Sequence, residues 1–310
     1  MSNFKILITS QKGGVGKSTV AANLAAFVRR LGKSVTLIDF DTHASSSNWL
    51  NHAPEIGVSV QHHVLPLEQG GKRPILDARL HLRRAADRTD VVICDLTWTD
   101  AIASELMLEF DLVIVPTSVS EIELSATAGF LNRHRWVFDS ILLHTAPTLL
   151  MCPTRVQAEQ LRSDVFSNQR FPVSFMLAPP VLEAQSARDM FERGYLIDLP
   201  DACGASFNEF GKAVMTAYDV RKATIAMREA NKHTANLSSI VQKTLHHPAT
   251  TKSITVSSQA SILGRHRMQK MRADATSGKP NIPAQTTTSS LASMRIPQFF
   301  KRMSMGMSTK

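Results

Sequence analysis

Short apolar runs recur along the first two-thirds of the chain and are separated by polar stretches. Each run has five or six residues and is bounded by Gly, Pro or polar side chains, which is typical of strands. The predicted strands are Phe4–Thr9, Ser34–Asp39, Val91–Asp95, Leu112–Pro116, Thr148–Cys152 and Val173–Leu177. Because the runs are apolar throughout rather than alternating, we expect strands that are buried on both faces of a sheet.

Helices are predicted between these strands, and the clearest covers Ser18–Leu31. Apolar side chains recur in it at helical spacing, and Gly32 follows as a C-cap. A last helix, or a pair of helices, is expected over Asp219–Leu245. Strands that alternate with helices predict a parallel sheet that is covered on both faces. The expected fold class is therefore α/β, with a doubly wound, mostly parallel sheet.

Charge changes this picture at the C-terminal end. The 310 residues carry a formal net charge of +9, but residues 1–230 hold 23 basic and 25 acidic side chains, whereas residues 231–310 hold 12 basic and one acidic. The last segment is also rich in Ser, Thr and Met and shows no sustained apolar face. We therefore expect a folded domain over residues 1–246 and a disordered basic tail over residues 247–310. A uniformly basic nucleic-acid coat protein is excluded.

Cysteine and histidine spacing argues against several kinds of site. The three cysteines form no C-x-x-C pair, so neither a disulfide framework nor a zinc knuckle is supported. The eleven histidines show no ligand spacing, so we expect solvated histidines and no metal other than magnesium. No apolar run reaches the roughly 18 residues of a membrane span, and the first strand is too short for a signal segment. These features favour a cytoplasmic protein.

The candidate chemistry is concentrated in Gln11–Thr19, QKGGVGKST, between a predicted strand and a predicted helix. This is the setting of a phosphate-binding loop, in which glycines let backbone N–H groups face phosphate oxygens at a helix N-terminus. Lys17 can reach the β- and γ-phosphates, and the Ser18 hydroxyl can bind Mg²⁺. The predicted nucleotide-binding residues of the loop are Lys12, Gly13, Gly14, Val15, Gly16, Lys17, Ser18 and Thr19.

The same loop resembles that of a known family. KGGVGKST is similar to the deviant Walker A motif of the ParA/MinD family of P-loop ATPases, which partition plasmids and chromosomes or position cellular machinery. The resemblance covers Lys5 to about Val220 and implies a P-loop NTPase fold, ATP and Mg²⁺ as cofactors, and an ATP-dependent homodimer. It makes Lys12 the signature lysine that reaches the partner subunit's nucleotide. A second cation there would stabilise charge on the γ-phosphate and make dimerisation depend on ATP.

Three acidic residues at strand ends extend the resemblance. LIDFD matches the family's D-x-D motif, which would place Asp39 near the Mg²⁺ shell and let Asp41 orient or deprotonate water. VVICD resembles a Walker B strand, so Asp95 would hold a magnesium-bound water. The implied catalytic residues are Lys12, Lys17 and Asp41, and the implied metal-binding residues are Ser18, Asp39 and Asp95. The alternative for Asp39 or Asp41 is that it caps a helix that begins near Ala44.

Two departures from the family pattern bear on hydrolysis and on adenine. Thr42 and His43 follow the D-x-D motif where the family usually has Pro-Gln, which concerns the rate of hydrolysis more than binding. Many relatives carry an asparagine near the end of the adenine-side strand, and this chain has Met and Cys there. Adenine contacts are therefore expected from backbone groups around Pro153 and Arg155.

The resemblance implies a switch for plasmid or chromosome partition. In this reading the ATP dimer binds nonspecific DNA, and an adaptor protein stimulates hydrolysis. The alternative is a MinD-like, conjugation- or secretion-associated positioning ATPase that acts at a membrane or a protein machine without DNA. The tail leaves three roles open: binding of DNA phosphates, weak anchoring to an anionic membrane through Met294–Met307, or an inert solvated segment.

Overall fold

The computed structural model describes residues 3–69, 72–139, 146–162 and 169–244, with side chains described as far as Met227. Contacts divide the chain into two units after Ala226. The first unit holds the sheet and its helices, and the second contains the described end of the last helix. The predicted tail, residues 247–310, lies outside the described residues. Within those residues, no helix combines the length and the apolar character that crossing a membrane requires.

Within the described residues, seven parallel strands form one sheet in the order β3-β2-β4-β1-β5-β6-β7. The strands are β1 (Phe4–Ser10), β2 (Val35–Asp39), β3 (Ser59–His62), β4 (Val91–Thr97), β5 (Leu112–Thr117), β6 (Thr148–Pro153) and β7 (Met176–Leu177). The chain order reverses at β1, which pairs with β4 on one side and β5 on the other. Such a reversal opens a crevice at the carboxyl ends of the strands. The predicted doubly wound α/β fold is confirmed.

In the described residues the sheet separates two apolar cores, and helices cover both of its faces. They are α1 (Lys17–Arg30), α2 (Ser45–His52), α3 (Arg73–Ala86), α4 (Glu121–Arg133), α5 (Arg135–Asp139), α6 (Gln185–Asp189) and α7 (Ala202–Thr244). One core contains Leu24 of α1 and Phe207 of α7. The other contains Ala78 of α3 and Phe130 of α4, together with Trp98. Burial on both sides explains why the central strands are apolar throughout.

The phosphate-loop helix forms as the sequence predicts, to within one residue at each end. α1 begins after Gly16, whose φ of 82° is left-handed, and ends before Gly32, which has the same φ. Valine, leucine and phenylalanine occupy its buried face, and alanines fill the close contacts with the sheet. This packing fixes the N-terminus of α1 at the carboxyl edge of β1.

Three elements differ from the sequence-based expectations. The edge strand β3 was not predicted, because its residues are exposed or half-buried and form no apolar run. The strand expected over Val173–Leu177 pairs only at Met176–Leu177, although Val173 and Phe175 are buried. The helix expected over Asp219–Leu245 starts at Ala202, and Gly204 and Gly211 lie inside it. These glycines reflect close packing rather than a break in the helix.

Gly204 offers a test of that packing. A Cβ atom at Gly204 would lie 2.1 Å from the carbonyl oxygen of Leu199, so backbone would have to move. We expect Gly204→Ala to lower the free energy of unfolding by about 1–3 kcal/mol, even though alanine is favoured over glycine in an open helix by about 1 kcal/mol. The matched control is Gly129→Ala in α4, where a Cβ would meet nothing within 4 Å. Urea unfolding of both variants measures the difference, and equal stabilisation of the two would contradict the packing.

Candidate functional site

The loop between β1 and α1 borders a crevice at the carboxyl edge of the sheet. Gly14 and Gly16 have φ values of 80° and 82°, a backbone region that only glycine enters without strain. The crevice encloses a cavity of about 750 Å³, and its polar side is lined by loop residues and by Asp41. The lining residues from the loop and the first turn of α1 are Lys12, Gly13, Gly14, Gly16, Lys17, Ser18 and Thr19.

The loop is held in shape by its neighbours. The Thr154 hydroxyl, just after β6, donates a hydrogen bond of 2.7 Å to the carbonyl oxygen of Val15. The Arg155 guanidinium donates one of 2.9 Å to the carbonyl oxygen of Gly14. On the β1 side, the Ser10 hydroxyl donates to the carbonyl oxygen of Lys12 at 2.9 Å. These three hydrogen bonds connect the loop to β1 and to the end of β6.

Lys17 lies at the floor of the crevice between two carboxylates. Its Nζ forms ion pairs with Asp41 Oδ2 and, at 2.6 Å, with Asp95 Oδ1. Burial lowers the pKa of Lys17, but attraction to Asp95 and Asp41 outweighs it, so the net shift is upward. Burial raises the pKa of the Asp95 carboxyl, and Lys17 offsets only part of that effect. The lysine is therefore the cation that keeps a fully buried carboxylate in the fold.

Asp41 has a second partner that sequence reasoning missed. Thr97, at the end of β4, donates to Asp41 through its backbone N–H at 2.6 Å and its hydroxyl at 2.7 Å. Burial raises the pKa of Asp41, but Lys17 and the hydrogen bonds from Thr97 outweigh it and lower the pKa overall. Thr97 is part of the turn after the Walker B-like strand, yet no local pattern links it to a carboxylate 56 positions earlier. Asp41 is held ionised and fixed in orientation.

Asp39 takes the capping role that the sequence left open between two acids. Its Oδ2 accepts hydrogen bonds from the backbone N–H groups of Ser46 and Ser47 and from the Ser46 hydroxyl, at 2.8–3.1 Å. Its Oδ1 accepts from the backbone N–H of Asp41 at 3.0 Å. The start of α2 is thus capped by Asp39, and not by Asp41. Asp39 also fixes the turn that carries Asp41 into the crevice.

The residues of the crevice fit a magnesium ion. Carboxylate oxygens of Asp39, Asp41 and Asp95 lie within 4.8 Å of one another. Asp95 Oδ2 is buried and has no hydrogen-bond partner among the described residues. A buried carboxylate oxygen without a partner is costly, and a hard cation with its water shell would satisfy it. Ser18 is half-buried and lines the same crevice. That Ser18, Asp39 and Asp95 hold Mg²⁺ stays a prediction.

Lys12 lies on the rim of the crevice and pairs within its own subunit. Its Nζ is 3.6 Å from Glu123 Oε1 at the start of α4, and its side chain is 44% exposed. Glu123 Oε2 is buried and has no hydrogen-bond partner among the described residues. The contact is a long, half-solvated ion pair, so Lys12 remains available to another anion. Glu123 was not identified from the sequence, because no spacing relates it to the loop.

Pro153 and Arg155 lie at the end of β6, beside the crevice. The carbonyl oxygen of Pro153 accepts a hydrogen bond of 2.8 Å from the backbone N–H of Val181. Arg155 has a left-handed φ of 55° and contacts the phosphate loop and Glu183. Arg155 lines the cavity next to the apolar side chains of Val181 and Leu182. Their contact with adenine stays a prediction.

Curated relatives match part of the chain. The chromosome-partitioning ATPase Soj of Thermus thermophilus is 36% identical over 132 residues, which is 40% of this chain and 51% of that protein. The septum site-determining protein MinD of Synechocystis is 64% identical over 36 residues, 12% of this chain and 14% of that protein. Maintenance of carboxysome distribution protein A of Halothiobacillus neapolitanus is 26% identical over 131 residues, with shares of 40% and 55%. The chain thus spans about half the length of two of these relatives and less of the third.

Solved structures share the fold at low identity. The cell division ATPase MinD of Pyrococcus furiosus superposes with a TM-score of 0.52 and 18% identity, covering 70% of this chain and 99% of that one. Cobyrinic acid a,c-diamide synthase of Mycobacterium smegmatis, with a bound ATP analog and magnesium, gives a TM-score of 0.53 and 20% identity, covering 70% and 95%.

A family model of the CobQ/CobB/MinD/ParA nucleotide binding domain matches residues 6–259. That range contains the glycine loop, the cluster of Asp39, Asp41 and Asp95, and every strand from β2 to β7. The family match, the parallel sheet and the geometry of the glycine loop all indicate the same family. The chain belongs to the CobQ/CobB/MinD/ParA nucleotide-binding family and has the fold of a ParA/MinD-type P-loop ATPase.

Proposed function

We propose that this protein is an ATP hydrolase that dimerises with ATP and serves as a switch in plasmid or chromosome partition. The observation that carries the proposal is Lys17, held between Asp41 and Asp95 beneath the glycine loop, with a second lysine, Lys12, on the rim. The partition role is supported by the similarity to Soj. We propose a cytoplasmic site of action, with an adaptor protein that stimulates hydrolysis.

Each side chain of the site would have a separate role in ATP hydrolysis. Bound Mg-ATP supplies the phosphoanhydride bond and a metal charge that neutralises the phosphates. Ser18 and Asp95 would hold the metal, and Lys17 would neutralise the transferred phosphoryl group. Asp41 would orient or deprotonate the attacking water. Thr97 would keep Asp41 in place.

Lys17 must exchange its carboxylate partners for phosphate oxygens when nucleotide binds. Its two ion pairs are buried, since its side chain is 8% exposed and that of Asp95 is fully buried. Loss of the cation leaves an unpaired carboxylate in the core, which is among the most destabilising changes in a protein. Without nucleotide, therefore, the lysine is a structural cation of the domain.

We expect Lys17→Met to lower the free energy of unfolding by about 3–5 kcal/mol in magnesium-free buffer without nucleotide. Urea unfolding measures the loss, and Lys72→Met, at an exposed lysine, is the matched control. Adding Asp95→Asn to Lys17→Met should recover part of the loss, because the unpaired charge is removed. A Lys17 variant as stable as the Lys72 variant would show that the cluster is not a structural ion pair.

Lys12 is expected to control dimerisation rather than folding. Lys12→Ala should abolish the ATP-driven dimer, because the second cation at the γ-phosphate is lost, while stability changes by less than about 1 kcal/mol. Asp41→Ala should instead give a dimer that persists with ATP, because water is no longer oriented. Light scattering with and without ATP separates the two. A dimer of the Lys12 variant, or only monomers of the Asp41 variant, would overturn these assignments.

DNA association tests the partition role. We expect ATP-loaded protein to be retained on nonspecific DNA, with affinity falling steeply as salt rises. The Lys12→Ala variant is the control that keeps the basic tail but lacks the dimer. A chain truncated after residue 246 should bind ATP-dependently but more weakly. ATP-loaded protein that ignores DNA yet sediments with anionic liposomes would favour the positioning alternative, which the MinD and carboxysome-distribution relatives support.

A further inference from the structure

Two histidines and an aspartate meet on the α3 face of the sheet, next to its β3 edge. His63 directly follows β3, whereas Asp77 and His81 lie four positions apart on α3 and therefore on one face of that helix. His63 Nε2 is 2.5 Å from Asp77 Oδ2. The rings of His63 and His81 stack with centroids 3.9 Å apart. One ligand atom from each of the three side chains lies within 4.8 Å of the others.

The cluster has the chemical character of a ligand set. All three side chains are half-buried. Burial lowers the pKa of His81, and the neighbouring His63 lowers it further. Neutral imidazole is the commonest metal ligand of proteins. A simple surface ion pair needs one imidazole beside a carboxylate. This cluster has a second imidazole stacked on the first.

The backbone that carries these ligands is fixed. The N–H of His63 donates a hydrogen bond of 2.9 Å to the carbonyl oxygen of Asp39, at the end of β2. Phe40 packs edge-on against the His63 ring, with centroids 6.4 Å apart. α3 is anchored in the core by Ala78 and Leu82. Only side-chain rotations are then required for the three groups to converge on one ion.

We propose that His63, Asp77 and His81 form a binding site for a divalent transition-metal ion of the zinc class, with a remaining position open to solvent. Imidazole nitrogen with one carboxylate suits Zn²⁺, Cu²⁺, Ni²⁺ or Fe²⁺, whereas Mg²⁺ prefers an all-oxygen set. Zinc bonds of about 2.0–2.2 Å place two ligands of one ion at most about 4.4 Å apart. The ligand atoms of the three groups lie within 4.8 Å of one another, and His63 Nε2 and Asp77 Oδ2 would separate from their 2.5 Å contact to admit the ion. The site is distinct from the crevice, whose acids offer only oxygen.

The test uses the full-length chain without a histidine tag, Zn²⁺ alone as the probe, and excess Mg²⁺ to mask the oxygen ligands of the crevice. Competition with a chromophoric chelator measures zinc affinity. We expect His63→Gln and His81→Gln each to weaken binding at least tenfold, since even the loss of a residue that only orients a ligand costs about 10–100-fold. Asp77→Asn should weaken it too. His52→Gln, at an exposed histidine outside the cluster, should leave the affinity unchanged.

Two further readouts separate binding from folding. Zn²⁺ should raise the thermal midpoint of the wild-type chain and not that of the His81→Gln variant, because an ion that binds only the folded state stabilises it. Co²⁺ should give a visible absorption band that the His63→Gln/His81→Gln chain lacks. Circular dichroism in EDTA checks that the variants fold. Zinc affinity that is equal in wild type and the double variant, or a wild-type chain that Zn²⁺ does not stabilise, would overturn the site.

Discussion

The buried ion cluster of Lys17 with Asp41 and Asp95 is the interaction on which the rest of the site depends. It ties together the ends of three neighbouring strands, because Lys17 follows β1, Asp41 follows β2 and Asp95 lies within β4. Asp95 has no exposed surface and its charge is offset by a single lysine, so the loop after β1 must return Lys17 to the sheet. The glycines and the contacts of Thr154 and Arg155 bring it there.

The same cluster links stability to ligand binding. Asp95 Oδ2 stays without a partner in the described structure, so the crevice holds more negative charge than its lysine satisfies. A metal cation at this point, with phosphate as the new partner of Lys17, would complete both shells. The folded domain is thus built around a charge arrangement that is tolerable without ligand and better satisfied with Mg-nucleotide.

Local patterns in the sequence predicted the sheet, α1 and the glycine loop, because each depends on residues close in the chain. The sequence could not predict the contacts that join residues far apart in the chain. Thr97 meets Asp41, Glu123 meets Lys12, and His63 meets α3 only after the sheet has formed. The sequence could not decide whether Asp39 or Asp41 caps α2. The choice depends on where the chain turns after β2, and the spacing of the two acids does not determine that turn. The edge strand β3 was not predicted from the sequence. Its residues are exposed or half-buried, so they do not form an apolar run.

The two lysines of the loop differ in the free energy needed to separate each of them from its carboxylate partners. Lys12 pairs with Glu123 at 3.6 Å with its side chain 44% exposed, so this contact is worth at most about 1 kcal/mol. Lys17 pairs inside the protein, where the loss of one partner costs several times more. The larger free-energy cost of the proposed switch therefore lies at Lys17. Phosphate would replace the carboxylates as the partner of Lys17, and the metal ion would replace Lys17 beside the carboxylates. Once that exchange has occurred, Lys12 is free to leave Glu123 at little cost, which makes nucleotide binding the step that determines dimerisation.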